Sequence, residues 1–310
     1  MLLTVLIWAG NNVITKSVVG RIEPLPYVFC RFLFVVLIVF GWYATQGALP
    51  TIPRSDWKWF LLTGLTGYAL YNALFTAGLK YTTAFSTAVM ISMAPLMTSA
   101  LAALLGIERA SWLQWVGFLI SLTGVVIFVG DKLQEGLPAR GDLLSLIAAM
   151  SFAVYSLATR PIVRRHGSLM VTAWSTLIGL VMITPFSIQP LRSQEWGDVR
   201  LSGWAALLYS SAISMLLAYT IWGWAIQRVG VGKTAPFLYM IPVLTGLFSF
   251  LFLGETFGLF KILGAIFVFG GVVLARSGLA RGRRQPAGAS LVPDPAAGAE
   301  TDEKLAATRE

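Results

Sequence analysis

The 310-residue chain contains one cysteine and one histidine, and only 12% of it is charged. A lone Cys30 excludes an internal disulfide and a cysteine metal cage. The single His166 stands in the basic stretch Arg164-Arg165-His166-Gly167, away from the apolar runs. No H-E-x-x-H pair and no G-x-S-x-G elbow occurs, so the motif chemistry of a membrane enzyme is missing and no cofactor or metal is expected. Acids are scarce as well. Each one ahead of the C-terminal tail (Glu23, Asp56, Glu108, Asp131, Glu135, Asp142, Glu195, Asp198, Glu255) falls in a loop or at a helix end. A proton relay inside a membrane normally uses an embedded ionisable group, so obligatory proton coupling is not expected. The formal charge of +9 could suggest nucleic acid, but the basic residues punctuate apolar runs, where they orient a membrane protein. No nucleic acid is expected as a partner; the bilayer and a small-molecule substrate are.

What the sequence has in abundance is apolar length. It is 56% hydrophobic with a mean hydropathy of +0.74, too apolar for a soluble domain. Runs of about 20 apolar residues span a bilayer as helices. Ten are readable: 2–18, 25–45, 57–79, 85–105, 112–129, 143–160, 171–188, 203–226, 235–253 and 259–275. The first, which lacks a basic leader, is expected to be a retained helix and not a signal peptide. With both termini cytoplasmic, the inner segments hold 12 Lys and Arg and the outer ones 8, while most loop acids fall outside. That bias chooses the orientation.

The stretch from Thr87 to Val126 is written again from Thr234 to Val273 at a constant offset of 147. Pro95/Pro242, Glu108/Glu255, Gly117/Gly264 and Gly124/Gly271 fall in register without a gap. This predicts a duplicated unit of five helices. Five is odd, so the second unit enters from the opposite side and the fold is an inverted repeat. The expected organisation is a first repeat over 1–131, an extracytoplasmic linker over 132–142, a second repeat over 143–278 and a disordered cytoplasmic tail over 279–310.

Polar and aromatic residues stand in stripes. Trp8, Asn11, Asn12 and Thr15 lie on one helical face, and Phe152, Tyr155, Ser156 and Thr159 repeat the stripe at an offset of 144. Tyr68, Tyr71, Asn72 and Phe75 form another, with Met215, Ala218, Tyr219 and Trp222 in register at 147. Such stripes serve either as hydrogen-bonding glue between helices or as the lining of a wet cavity; their recurrence in both halves favours the cavity. Pro95 and Pro242 predict paired kinks and hinges near mid-span. Met90, Met93 and Met97 predict a soft apolar wall. Arg31, about one and a half turns into its helix, is read first as snorkelling to the interface, with an anion-binding role at the outer mouth as the alternative. The glycines spaced by seven in the fifth and tenth runs predict close backbone packing, within the fold or at a dimer seam.

Trp8-Ala9-Gly10 with Lys16, Arg31, Pro95 and Pro242, Gly106-Ile107-Glu108, Gly254-Glu255 and the terminal glycine helices resemble the drug/metabolite transporter superfamily, in its ten-helix branch of paired EamA-type domains. The resemblance covers the chain to about Gly278. It implies an all-α integral membrane protein of ten helices, two inverted five-helix repeats around a central cavity lined by helices 1, 3, 4, 6, 8 and 9. Within that branch the chain is most similar to bacterial amino-acid exporters, aromatic ones included, which implies a multi-pass protein of the bacterial inner membrane acting as a monomer or weak homodimer. The small drug antiporters of the superfamily carry a glutamate in their first helix, and Trp8-Ala9-Gly10-Asn11-Asn12 has none. A proton-coupled drug exporter and a sugar-phosphate or nucleotide-sugar exchanger are the alternatives. The expected substrate site comprises Trp8, Asn11, Asn12, Tyr71, Asn72, Phe75, Met93, Tyr155, Ser156, Tyr219, Trp222 and Tyr239, its polar part made of neutral groups so that substrate can leave.

Overall fold

The computed structural model describes residues 1–47, 51–108, 110–134, 139–229 and 235–282, and among these the regular structure is helical, with no strand. In chain order the helices are α1 (Leu2–Val18), α2 (Pro24–Thr45), α3 (Trp57–Thr63), α4 (Tyr71–Tyr81), α5 (Ala84–Ile91), α6 (Ala94–Leu104), α7 (Trp112–Gln134), α8 (Arg140–Ser193), α9 (Leu201–Leu208), α10 (Ala218–Val229), α11 (Met240–Leu253) and α12 (Leu259–Gly282). Among the described residues five stretches, α2, α5 with α6, α7, α8 and α12, are long and apolar enough to cross a membrane. Their outer faces are apolar too, as is that of α11: Leu37, Phe186 and Phe252 are 60%, 71% and 74% exposed. Water would not tolerate that much exposed hydrocarbon, and lipid does. Helix occupies both margins of the span 132–142, and residues 135–138 lie outside the described residues. Of the tail over 279–310, residues 279–282 continue α12 and 283–310 lie outside the described residues.

Local sequence explains where the helices begin and break. Pro24 and Pro26 open α2, where a missing N–H is harmless. Thr83 caps α5, its hydroxyl accepting the Ser86 N–H at 3.0 Å. The two repeat-related prolines do not sit in helix interiors. The chain turns at Ser92-Met93 and restarts with Pro95 in the first turn of α6. Pro242 likewise stands in the first turn of α11, after the 3-10 turn Ala235–Tyr239. Each proline follows a break and removes no needed donor, so the expected mid-span kink is realised as a restart of the helix. Two π-helical stretches, Gly64–Leu70 between α3 and α4 and Tyr209–Leu217 between α9 and α10, end at residues separated by the same 147. The periodicity of the sequence does not announce them.

The halves of the chain interlock. α1 lies against α11, α7 against α12, and α8 against α2, α3, α4, α5 and α6. At the α7–α12 crossing, a Cβ on Gly117 would stand 2.4 Å from the Gly271 carbonyl, and one on Gly124 2.6 Å from the Gly264 carbonyl. Advancing along α7 therefore retreats along α12, so the pair is antiparallel. Gly264 and Gly271 are the repeat equivalents of Gly117 and Gly124, so residue i meets the equivalent of j while j meets that of i. Such reciprocity is what a two-fold relation would produce at this crossing. The expected close packing thus lies within the fold, and Ser121 ties the crossing by donating to the Val268 carbonyl at 2.9 Å.

The 54-residue α8 bends at Gly167, whose φ of 76° is in the left-handed region that only glycine adopts cheaply. The bend presents Arg165 and His166 to Asp56, at 2.8 and 2.7 Å. The hydrogen bond from His166, helped by the Arg165 charge, holds the Asp56 carboxyl below the usual carboxylate range. A depressed pKa stabilises the fold above the unfolded value of about 3.9 and loses that contribution as pH falls through the folded value. Asp56→Asn is therefore expected to lower the melting temperature at pH 7, with the gap to wild type closing below about pH 4. A thermal-shift series in detergent checks this, and a gap that persists undiminished at about pH 3 would refute it.

Candidate functional site

A cavity of about 250 Å³ lies between the two halves, just under the roughly 300–1,000 Å³ of drug-sized ligand pockets. It suits a small metabolite. Its walls are built in pairs. From the stretches around the π-helical turns come Gly67 and Ser214, Tyr68 and Met215, Asn72 and Tyr219, Phe75 and Trp222. The restarted helices add Ile91 and Leu238, Ser92 and Tyr239, Ala94 and Ile241, Pro95 and Pro242. Every one of these pairs is separated by 147 in the sequence. At the 144 offset, α1 and α8 add Trp8 with Phe152 and Asn11 with Tyr155. Asn12, Arg31, Tyr71 and Ala88 complete the lining.

The π-helical stretches explain why backbone participates. Hydrogen bonding from i to i+5 widens the turn and leaves carbonyls to be satisfied by side chains. Trp8 Nε1 donates to the Ser214 carbonyl at 3.1 Å and Arg31 Nε to the Ser210 carbonyl at 3.2 Å. In the other stretch, Asn72 Nδ2 donates to the Gly67 and Tyr68 carbonyls at 3.2 and 3.1 Å. Side-chain bonds join the halves here too: Ser210 Oγ donates to Asn11 Oδ1 at 2.7 Å, and Asn12 Nδ2 donates to Thr245 Oγ1 at 3.1 Å. The two readings of the asparagine stripe thus coexist, since each asparagine both ties helices and borders the cavity.

Two aromatic groups form the rest. Trp8 packs on Tyr219 and Trp222 with ring centroids 5.2 and 5.4 Å apart. In the second group, Tyr71 stacks on Phe75 at 5.8 Å and meets Phe152 at 5.2 Å, and Phe152 meets Tyr155 at 5.4 Å. Such pairs hold each other in offset or edge geometry and leave faces for a further ring.

The structure brings together on this wall Trp8, Asn11, Asn12, Tyr71, Asn72, Phe75, Tyr155, Tyr219, Trp222 and Tyr239, with Pro95 and Pro242. Two expected residues lie elsewhere. Met93 is fully buried in a cluster with Met90, Met97, Val125 and Phe128, so these methionines are core and not wall. Ser156 turns its hydroxyl back to the Phe152 carbonyl at 2.8 Å, one helical turn earlier, as serines in apolar helices do. Arg31 does not snorkel: it is 6% exposed and borders the cavity. Its helix is covered by α8, α4 and the second π-helical stretch, which leaves the guanidinium no route to an interface. Sequence reasoning also passed over Ser214 and Gly67, although the 147 register pairs them.

Comparison with known proteins agrees with this architecture. The chain matches the description EamA-like transporter family over residues 1–130 and 139–277. It is 29% identical to an uncharacterized transporter of Archaeoglobus fulgidus, over 88% of this chain and 94% of that one. It is 26% identical to the uncharacterized transporter YyaM of Bacillus subtilis, over 91% and 93%. A protein of Streptantibioticus cattleyicolor named probable terminal-alkyne amino-acid exporter is 26% identical over 72% of this chain and 74% of its own. One crystal structure superposes with a TM-score of 0.62 at 21% identity, covering 90% of this chain and 95% of that one, a likeness of fold.

Proposed function

This chain belongs to the EamA-like transporter family, and from that premise we propose that it exports small metabolites, amino acids with aromatic side chains among them, by alternating access. The observation that carries the proposal is the pairwise cavity. A site whose walls come in equivalent pairs from two inverted units can be exposed to either side by the same motion. The antiparallel α7–α12 crossing and the matched restarts at Pro95 and Pro242 support ten membrane helices in two inverted repeats, over 1–131 and 143–278. A cavity with indole, phenol and amide walls accommodates an apolar side chain beside a polar head. The name of the Streptantibioticus cattleyicolor relative points to the same substrate class. The proposal puts both termini in the cytoplasm, which the excess of Lys and Arg in the inner segments supports, and the protein in the inner membrane. Among the described residues, none that lines the cavity is an acid or a histidine, which supports transport without obligatory proton coupling.

Uptake into proteoliposomes is the test. Labelled phenylalanine should enter down its own gradient and ignore an imposed pH gradient. Losing one ring contact costs about 0.5–1.5 kcal/mol, so Trp222→Ala should weaken phenylalanine several-fold while affecting threonine less. Flux that requires the pH gradient would remove the uncoupled mechanism, and no flux of any amino acid would remove the substrate class. In a chain lacking Cys30, cysteines placed at positions 108 and 255 should react with an impermeant thiol reagent from opposite sides. Labelling from one side would end the inverted arrangement.

A further inference from the structure

We infer that Arg31 is the anchor for a substrate carboxylate, and that a carboxylate, with or without an amino group, is what a substrate must have. The inference deepens the transport reading above and rests on it. The guanidinium is 6% exposed and borders the cavity. It donates through Nε to the Ser210 carbonyl at 3.2 Å and through Nη1 to Asn72 Oδ1 at 3.3 Å, both neutral acceptors. The Asn72 amide cannot be turned the other way, because its nitrogen already serves the Gly67 and Tyr68 carbonyls. A guanidinium has five N–H groups in a planar fork, and these two bonds leave three of them over.

No carboxylate among the described residues lies within ion-pair distance of Arg31. Other acids among the described residues have partners elsewhere: Glu23 pairs with Lys80, Asp56 with Arg165 and His166, and Glu108 with Arg160, while Asp142 accepts from the Thr82 hydroxyl and Glu255 from the backbone of Ala84 and Phe85. A buried cation held only by neutral groups has surrendered its hydration without gaining a counter-charge, which is unfavourable until an anion arrives. The remaining fork matches a carboxylate in the two-bond geometry that arginine favours. Symmetry argues the same way. Ten pairs of lining residues are matched between the halves, while among the described residues the cavity's cation is contributed by α2 alone. An anchor for the one charged end of a ligand needs no counterpart in the other half, whereas the elements that move between states do. Around the fork, Tyr71, Tyr219 and Trp222 offer ring faces to an aromatic side chain, whereas no acid among the described residues lines the wall for an ammonium group.

The test uses the full chain in proteoliposomes with labelled phenylalanine as probe and four unlabelled competitors that share the benzyl group. Phenylpyruvate and phenyllactate keep the carboxylate and lack the amine; phenethylamine and phenylalaninamide lack the carboxylate. The two acids should compete within about threefold of phenylalanine, and the two amines at least about tenfold more weakly, the loss expected for a charge-assisted pair. Arg31→Gln should erase the preference for acids, and Arg31→Lys should retain part of it. Because the wild-type panel needs no variant, the inference stays testable even if Arg31→Gln fails to fold. Amines competing as well as acids would overturn the anchor while leaving the transport reading intact. An absence of any phenylalanine uptake would instead sink the transport reading itself.

Discussion

Replacing Gly67 by alanine is expected to reduce transport roughly five- to 150-fold without removing any polar group. A Cβ at this position would stand 2.1, 2.4 and 2.7 Å from three atoms of the Tyr155 ring. No side chain tolerates such contacts, so the ring must move. Tyr155 is backed by Tyr68 at 5.9 Å and Phe152 at 5.4 Å, and the open direction is the cavity it lines. Forcing one extra carbon into a packed site costs about 1–3 kcal/mol. Expressed on substrate binding, that is a loss of roughly five- to 150-fold at about 1.4 kcal/mol per decade. The double variant Gly67→Ala with Tyr155→Leu should recover much of the rate, since the two positions share one space and their effects are not additive. Initial uptake rates for matched amounts of monodisperse protein decide it. A Gly67→Ala protein that transports like wild type would show that this part of the cavity is not on the substrate's path.

Glu255→Ala is expected to destabilise the protein by about 2–4 kcal/mol, while Glu108→Ala, at the equivalent place in the other repeat, costs less than about 1 kcal/mol. The carboxylate of Glu255 accepts the Ala84 N–H at 2.7 Å and the Phe85 N–H at 3.3 Å. These are the first two donors of α5, which no intrahelical carbonyl can satisfy. Thr83 takes the third. The glutamate therefore completes the cap, places a negative charge at the positive end of the helix, and ties the second half of the chain to the first. Glu108 instead pairs with Arg160, both side chains being about half exposed, 45% and 47%. Water and salt screen such a pair. Thermal unfolding of the two variants in the same detergent is the measurement, and equal shifts would mean that the sequence equivalence, not the observed contacts, governs both residues.

These residues separate what spacing reveals from what packing decides. The apolar runs, the 147 offset and the helical stripes depend on spacing along the chain, and spacing survives in one dimension. That is why Trp8 with Asn11 and Asn12, and Tyr71 with Asn72 and Phe75, group together by periodicity alone and are found on one wall. The π-helical stretches are invisible in the sequence because an i to i+5 turn changes the registration of a helix without changing its composition. Met93 and Ser156 occupy the right faces by periodicity, but one is buried in the methionine cluster and the other satisfies its own helix.

The sequence by itself determined that the protein is a helical membrane protein of duplicated design, because membrane crossing requires long apolar segments with internally satisfied backbones and a duplication leaves prolines, glycines and acids in register. Only the tertiary structure decided the fate of the charges. Whether Arg31 reaches an interface, whether Glu255 or Glu108 caps a helix, and whether Asp56 meets His166 depend on which elements cover each group. Coverage is set by the neighbours that the fold supplies from positions 41, 171 and 110 residues away in the chain. A charge's energy changes from negligible to decisive with that coverage, because it is the exclusion of water that makes a single charge worth a partner.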